Sequence, residues 1–382
     1  MMAYQQINKI KQFNFQINRV LTYGDMACDE YAVIEATKNV KTLASWFEAW
    51  NSLGEKAVLG SRWLHAAYAY RMAEFFLTKD NPEKQKMYDK ARALYYRGFE
   101  KLGVKYDVRD IPYKGTQMHT LYLPAPEEKQ LILICGGYDS FIEEFVVAVL
   151  GLLESGYSLI FYEGDGQGKT LQNGLPFTHS WEEPTKYVLD AYQISNCVLI
   201  GISWGGYLAL RAAAFEKRIA AVAAYDVFED GVGVMTNIFP PLLGGVLRKA
   251  YAHGNQPLVN NLVGLACKKS ILAQWAFTQG MYITQTKTPY EFYQKLSLHR
   301  LAPIAERVTQ DVLLLAGEKD HYIPKDQYKK TRSELKNTRT LKTRMFTVQE
   351  GGEQHCQIGN HQLAIDEIII WLKIQKITPQ IK

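Results

Sequence analysis

The chain has 382 residues, 47% hydrophobic and 22% charged, and its 44 Lys and Arg against 39 Asp and Glu leave a formal net charge of +5. That composition is too polar for a membrane bundle and too apolar for a disordered chain. No long run of like charges marks a nucleic-acid tail, and no uncharged apolar stretch is long enough to span a bilayer. The length allows two domains, or one large core with additions.

The opening segment, MMAYQQINKIKQFNFQINRV, has no apolar h-region and no small-residue cleavage site, which speaks against a secretory signal. The cysteines, Cys28, Cys135, Cys197, Cys267 and Cys356, are odd in number and form no CxxC pair. Cys135 and Cys197 sit inside apolar runs that read as buried strands. Neither a disulfide framework nor a zinc site is expected, and a reducing, cytoplasmic setting follows.

Residues 1–103 read as a helical domain. SRWLHAAYAYRMAEFFL and EKQKMYDKARALYYRGFEKLG lack strand alternation, and aromatics recur at helical spacing, as in Trp46 with Trp50 and Tyr95 with Phe99. Asn81 and Pro82 separate two of these helices, Pro82 suiting a first turn. After Gly103 the pattern changes. YDVRDIPY and HTLYLPAP read as short strands, and then a βαβ rhythm begins. LILICGG (131–137), SLIFYEG (158–164), CVLIGIS (197–203), IAAVAAYD (219–226), DVLLLAGEKD (311–320) and LKTRMFTVQE (341–350) are apolar strands. A helix from about Phe141 to Ser155, one around Pro184–Tyr192, an Ala-rich one after Ser203 and a closing AIDEIIIWLKI alternate with them. The fold class is therefore α/β, with a mostly parallel sheet covered by helices on both faces.

Between Asp226 and Asp311 lie 84 residues without a clear sheet strand. FPPLLGGVL, LVNNLVGLA and ILAQWAFTQGMYI read as helices inserted into the sheet topology. They are either a packing elaboration or a cap, because ligand sites lie beyond the carboxyl ends of such strands. The domain organisation is then 1–103 helical, 104–230 first part of the core, 231–305 helical cap and 306–382 second part of the core.

The sharpest motif is Gly201-Ile202-Ser203-Trp204-Gly205-Gly206, a G-x-S-x-G directly after a buried strand and directly before a helix. Glycines flank the serine because a tight strand-to-helix turn leaves no room for side chains, and the Ser203 hydroxyl then projects above the sheet. A serine is a poor nucleophile near neutral pH, so it needs a base and the base an orienting acid. The expected chain order is Ser, then Asp or Glu, then His. Asp320 ends LLLAGEKD, 117 residues after Ser203, and His355 lies 35 residues further on, in EGGEQHCQIG. His321 competes as base, but adjacent residues on an extended loop point apart, which favours His355. An oxyanion needs donors; the backbone N–H of Trp204 is one, and Gly137 or Tyr138, after LILICGG, supplies the other. Ser140 and Glu143 match an S-x-x-E capping box for the next helix. Gly164-Asp165-Gly166-Gln167-Gly168 lacks the Lys-Ser/Thr ending of a P-loop and the G-x-G-x-x-G spacing, and reads as a structural turn near the site mouth. No clustering of His and carboxylates along the chain suggests a metal.

GGYDSFIEE (136–144), YEGDGQG (162–168), GISWGGY (201–207), GEKDHYIP (317–324) and EQHCQIGN (353–360) together resemble an α/β-hydrolase. More narrowly, the chain is similar to the branch with an N-terminal helical domain that includes dihydroxypseudooxynicotine hydrolase, fungal polyketide chain-shortening hydrolases and FrsA-like proteins. The resemblance implies ester-type hydrolysis or cleavage of a carbon–carbon bond beside a ketone. The second reaction benefits from an extra acid to protonate carbon. Asp226, Glu229 and Asp230 are the candidates, with strand-end and cap-hinge roles as the alternative.

These readings give a cytoplasmic serine hydrolase with no cofactor and no metal. Its partner is a small, fairly hydrophobic carbonyl substrate rather than a nucleic acid or a membrane, held in an apolar, aromatic-lined pocket between the N-terminal helices and the cap. The N-terminal helices can also mediate a homodimer. An acyltransferase, or a binding protein on a hydrolase scaffold, stays open beside it.

Overall fold

The computed structural model describes residues 3–375. They fall into two compact units. The first runs to Lys105 and takes in Glu143–Leu150 and Ile358–His361; the second comprises Tyr106–Ile142, Gly151–Gln357 and the chain from Gln362 on.

The first unit is helical, with Lys11–Leu21, Glu30–Thr37, Leu43–Leu59, Trp63–Phe75 and Pro82–Leu102 as its helices. The last begins as its sequence requires. The Asn81 side chain caps the N–H of Glu83, Pro82 occupies the first turn, and Gly103 closes the helix at φ 70°. The aromatics at helical spacing are core. Trp46 is fully buried, stacks on Phe13 at 4.8 Å, meets Trp50 at 5.5 Å and donates its indole N–H to the Met72 carbonyl at 2.7 Å.

A buried ionic cluster also lies in this unit. Glu144 receives Arg19 at 2.7 Å and Arg71 at 3.0 Å, Arg71 also reaches Glu74 at 2.6 Å, and Lys84 pairs with the same Glu74. Glu143, equally buried, accepts from Arg92 at 2.9 Å and from the Tyr96 hydroxyl at 2.6 Å. This corrects the expected Ser140–Glu143 capping box. A buried carboxylate is better satisfied by a guanidinium than by a helix-end N–H, and among the described residues the Ser140 hydroxyl finds no hydrogen-bond partner. The helix expected over 141–155 is also divided, into Ile142–Ala148 and Leu150–Glu154, with a tightened turn from the Val149 N–H to the Val146 carbonyl at 3.2 Å.

The second unit holds an eight-stranded sheet in the order β1-β2-β4-β3-β5-β6-β7-β8. Its strands are β1 Asp107–Tyr113, β2 Thr116–Leu123, β3 Gln130–Cys135, β4 Tyr157–Tyr162, β5 Cys197–Ile202, β6 Ile219–Tyr225, β7 Asp311–Gly317 and β8 Thr340–Phe346. β1 and β2 are antiparallel to their neighbours, and the rest pair in parallel. Every residue of β4, β5 and β7 is buried, which is why these strands read as unbroken apolar runs. From β3 the chain crosses to β4 on one side and later returns to β5 on the other. The loops after β3 and β5 therefore open side by side at the switch point of the sheet.

Between β6 and β7 the insertion forms helices Gly231–Asn237, Pro241–Ala252, Gln256–Cys267, Ile271–Thr284 and Pro289–Leu296. Its two ends are tied together, Gly231 N–H to the His299 carbonyl at 3.0 Å and Leu301 N–H to the Glu229 carbonyl at 2.9 Å. All five cysteines are free thiols, Cys135 and Cys197 buried in the sheet. Among the described residues no helix is long and apolar enough to cross a membrane.

Replacing Glu144 by Leu strands Arg19 and Arg71 without their shared carboxylate. The expected loss is about 3–5 kcal/mol, seen as a lower urea midpoint of the full chain; a loss below about 1 kcal/mol would contradict a structural role for the cluster.

Candidate active site

The end of β5 turns into the helix Trp204–Phe215 through a single residue. Ser203 sits at φ 62° and ψ −125°, a conformation that L-residues rarely adopt. Its neighbours explain the glycines. A Cβ on Gly201 would strike the Gly205 carbonyl, one on Gly205 would lie 2.8 Å from the Cys135 and Gly136 carbonyls, and one on Gly206 would strike the Asp226 carbonyl. The turn is further pinned by the Ser203 N–H on the Tyr225 carbonyl at 2.7 Å. The hydroxyl of Ser203 stands at the carboxyl edge of the sheet and at the positive end of that helix.

His355 Nε2 lies 2.7 Å from Ser203 Oγ, and His355 Nδ1 lies 2.6 Å from Asp320 Oδ2. Asp320 is fixed in turn. Its other oxygen accepts the N–H groups of Tyr322 at 2.8 Å and Ile323 at 2.9 Å. His321, the competing base, instead packs its ring on Tyr322 at 3.9 Å. Burial disfavours a charged His355, but Asp320 first, then Cys356 and Asp226, outweigh it and hold the imidazole well above its usual range. Burial pushes the Asp320 carboxyl up, and the nearby Asp226 adds to that shift.

The loop after β3 closes on the same turn. Gly137 approaches so tightly that a Cβ there would lie 2.7 Å from the Trp204 nitrogen. Gln167, buried in the glycine-rich turn after β4, donates its side-chain amide to the carbonyls of Gly136 at 2.9 Å and Gly137 at 3.0 Å. A trans peptide points its N–H opposite its carbonyl. The N–H groups of Gly137 and Tyr138 are therefore both turned away from Gln167, and the geometry treats the two alike. The sequence marks this turn by its glycines alone; the part played by Gln167 depends on which loop lies beside it.

The inserted helices reach this loop. The Tyr138 hydroxyl donates to the Ala276 carbonyl, and the absence of a side chain at Gly280 makes room for that hydroxyl. Aromatic rings then run from Trp204 to Tyr138 at 5.5 Å, to Trp275 at 6.0 Å, to Tyr322 at 6.3 Å and to His355 at 5.1 Å. Both ends of this arc adjoin Ser203. The Trp204 indole is itself fixed by donating to His299 Nδ1 at 3.1 Å, and burial keeps His299 well below the ordinary imidazole range, so it accepts as the neutral ring.

The three sequence-predicted acids take different places. Asp226 lies on the Nδ1 side of His355, at 3.0 Å. Glu229 faces Arg300 at 3.4 Å, and Asp230 caps the helix Gly231–Asn237 through the Val232 N–H at 3.1 Å. Asp226, His355 and Cys356 each bring one potential ligand atom within 4.8 Å of the others. The carboxylate and imidazole atoms of this trio are already engaged with each other, with Asp320 and with the Cys356 N–H, which makes it a hydrogen-bonding cluster.

Residues 134–353, more than half of the chain, match the family described as alpha/beta hydrolase fold. The chain belongs to that family. Hydrolase acrC of Aspergillus aculeatus is 26% identical over 383 residues, covering 87% of this chain and 88% of its own. The 20-hydroxy-prefusarin hydrolase FUS2 of Gibberella moniliformis is 28% identical over 288 residues, covering 64% and 66%. Among solved structures, the 2,6-dihydroxy-pseudo-oxynicotine hydrolase superposes with a TM-score of 0.69 at 19% identity, over 96% of this chain and 98% of that one. This likeness extends over both units of the present alpha/beta hydrolase.

The strained turn gives a test that needs no substrate. Ser203→Gly and Ser203→Ala both delete the hydroxyl, but only glycine relieves the backbone. The glycine variant of this hydrolase is expected to unfold at higher urea than the alanine variant, by about 1 kcal/mol; equal midpoints would mean that the turn holds no strain.

Proposed function

We propose that this alpha/beta hydrolase is a serine hydrolase that works through an acyl-enzyme. The observation that carries the reading is the continuous relay from Ser203 Oγ to His355 Nε2 at 2.7 Å and from His355 Nδ1 to Asp320 at 2.6 Å. In this reading Ser203 Oγ attacks the substrate carbonyl carbon while its proton passes to His355 Nε2. The oxyanion is bound by the Trp204 N–H and by that of Gly137 or Tyr138, at the positive end of the helix after Ser203. The leaving group departs with the proton from His355. Water, deprotonated by the same nitrogen, then attacks the acyl carbon and regenerates Ser203.

The substrate is a small, fairly hydrophobic carbonyl compound with an ester-type bond. The arc of Tyr138, Trp275 and Tyr322 between Trp204 and His355 supports this, since aromatic faces accept apolar acyl or aryl groups. Two names among the similar proteins, 20-hydroxy-prefusarin hydrolase and 2,6-dihydroxy-pseudo-oxynicotine hydrolase, are consistent with hydrolysis of a small organic molecule. A carbon–carbon bond beside a ketone is the second reading. The same His355 Nε2 proton would then go to a carbanion, with Asp226 on the far, Nδ1 side of the ring.

A fluorophosphonate probe is expected to label the wild type and not Ser203→Ala. Unlabelled wild type is then assayed on aryl and alkyl esters and on β-diketones, with ester turnover expected to exceed diketone turnover. A folded wild type that resists the probe and turns over none of these compounds would remove the proposal.

Gln167→Ala frees the carbonyls of Gly136 and Gly137, so the donors of that loop lose their alignment. The expected loss in kcat is about 100-fold with little change in KM; an unchanged kcat would take the loop after β3 out of the oxyanion site.

A further inference from the structure

His355 Nδ1 carries one proton and faces two carboxylates. Asp320 Oδ2 is at 2.6 Å and Asp226 Oδ2 at 3.0 Å, with only 3% and 1% of the two side chains exposed. They come from different strands, Asp320 from the loop after β7 and Asp226 from the end of β6, so two separate elements converge on one nitrogen. A serine–histidine relay requires one acid, which leaves the second to be accounted for.

The backbone shows that Asp226 is held in place. It lies at φ 63°, in the left-handed region that aspartate and asparagine tolerate better than most residues. Its Oδ2 also accepts the Cys356 N–H at 2.5 Å, and its Oδ1 accepts the Gln357 side-chain amide at 3.3 Å. Cys356 and Gln357 are themselves left-handed, at φ 51° and 47°, and the Tyr225 hydroxyl donates to the Cys356 carbonyl at 3.1 Å. One aspartate thus ties down the bent segment that carries His355 and touches the imidazole as well.

We propose that Asp226 is a positioning residue for His355, a second carboxylate that shares the Nδ1 proton with Asp320 and fixes the loop that presents Nε2 to Ser203. The proposal rests on the serine-hydrolase reading and adds a consequence to it. Two negative charges stabilise the imidazolium more than one does, so the neutral base form of His355 emerges only at a higher pH. The groups facing the ring are Asp320 and Tyr322 from the loop after β7, Asp226 from β6, Ser203 from the turn after β5, and Cys356 from its own loop. The Cys356 thiol, pushed up to about 11 chiefly by burial, stays neutral through the working range.

The test uses Asp226→Asn in the full chain. Asparagine keeps the shape, the left-handed backbone and an oxygen for the Cys356 N–H; it removes the charge and turns the oxygen that accepts the Gln357 amide into a donor, which a flip of that amide satisfies. The fluorophosphonate labelling rate, followed against pH, is expected to have its acid limb shifted down by more than about half a unit, a threefold change in proton concentration. In parallel, the His355 Cε1–H resonance is titrated by NMR in Ser203→Ala with and without Asp226→Asn, and the same downward shift is expected. Should Asp226→Asn fail to fold, Asp226→Ser supplies a neutral oxygen in its place. A midpoint unchanged by loss of the charge overturns the proposal, because a purely structural role moves stability and not this midpoint. A wild type that the probe never labels removes the serine-hydrolase reading instead, and the NMR titration still decides whether Asp226 acts on His355.

Discussion

The site is organised by a backbone conformation that no side-chain contact could replace. Ser203 is held at φ 62° where β5 becomes a helix, and the turn fits only because Gly201 leaves room for the turn's own Gly205 carbonyl and Gly205 and Gly206 leave room for carbonyls of two other segments. The Gly206 face rests on the Asp226 carbonyl, the Gly205 face on Cys135 and Gly136, and Gly137 on the Trp204 nitrogen. The ends of β3, β5 and β6 are thereby packed against one another at backbone distance. A fault in any of these contacts would displace the serine, the loop after β3 and the residue behind the histidine together.

Onto this steric frame the chain builds an electrostatic one. His355 receives carboxylates from the ends of two neighbouring strands, both shielded from water, so their effect on the imidazole is far stronger than a surface pair would exert. Burial disfavours the charged form of His299 too, and there it prevails: among the described residues no carboxylate raises that imidazole, so the ring stays neutral and serves as an acceptor for Trp204. Two buried histidines of one unit are thus driven in opposite directions by their neighbours. The arc of rings from Trp204 to Tyr322 joins the two regions and brings the inserted helices, through Trp275 and the Tyr138–Ala276 hydrogen bond, up to the loop after β3.

Much of this was legible in the sequence because it is local or periodic. Continuous apolar runs marked the buried parallel strands, and the G-x-S-x-G between strand and helix marked the turn, since a steric demand on adjacent residues leaves its trace in adjacent residues. Asp320 and His355 could be chosen by their order and by their placement after strands. Where local reasoning met a long-range competitor it failed. Ser140 and Glu143 spell a capping box, yet Glu143 binds Arg92 and Tyr96, dozens of residues upstream. The glycines after β4 read as a turn, but that reading did not extend to Gln167 as the holder of two carbonyls in another loop.

The sequence by itself determined the fold class, the alternation of strands and helices, the position of the insertion and the turn that carries Ser203, because each follows from the chemistry of neighbouring residues. Only the tertiary structure decided which groups meet across the sheet edge. Asp226 is the clearest case. As a residue at the end of a strand it could serve as a cap, a hinge or an acid. Its place beside His355 Nδ1 follows from the parallel pairing of β6 with β5 and β7 and from the left-handed backbone that turns its side chain toward the histidine loop. Strand order and backbone hand are set by packing of the whole sheet, and no short stretch of sequence encodes them.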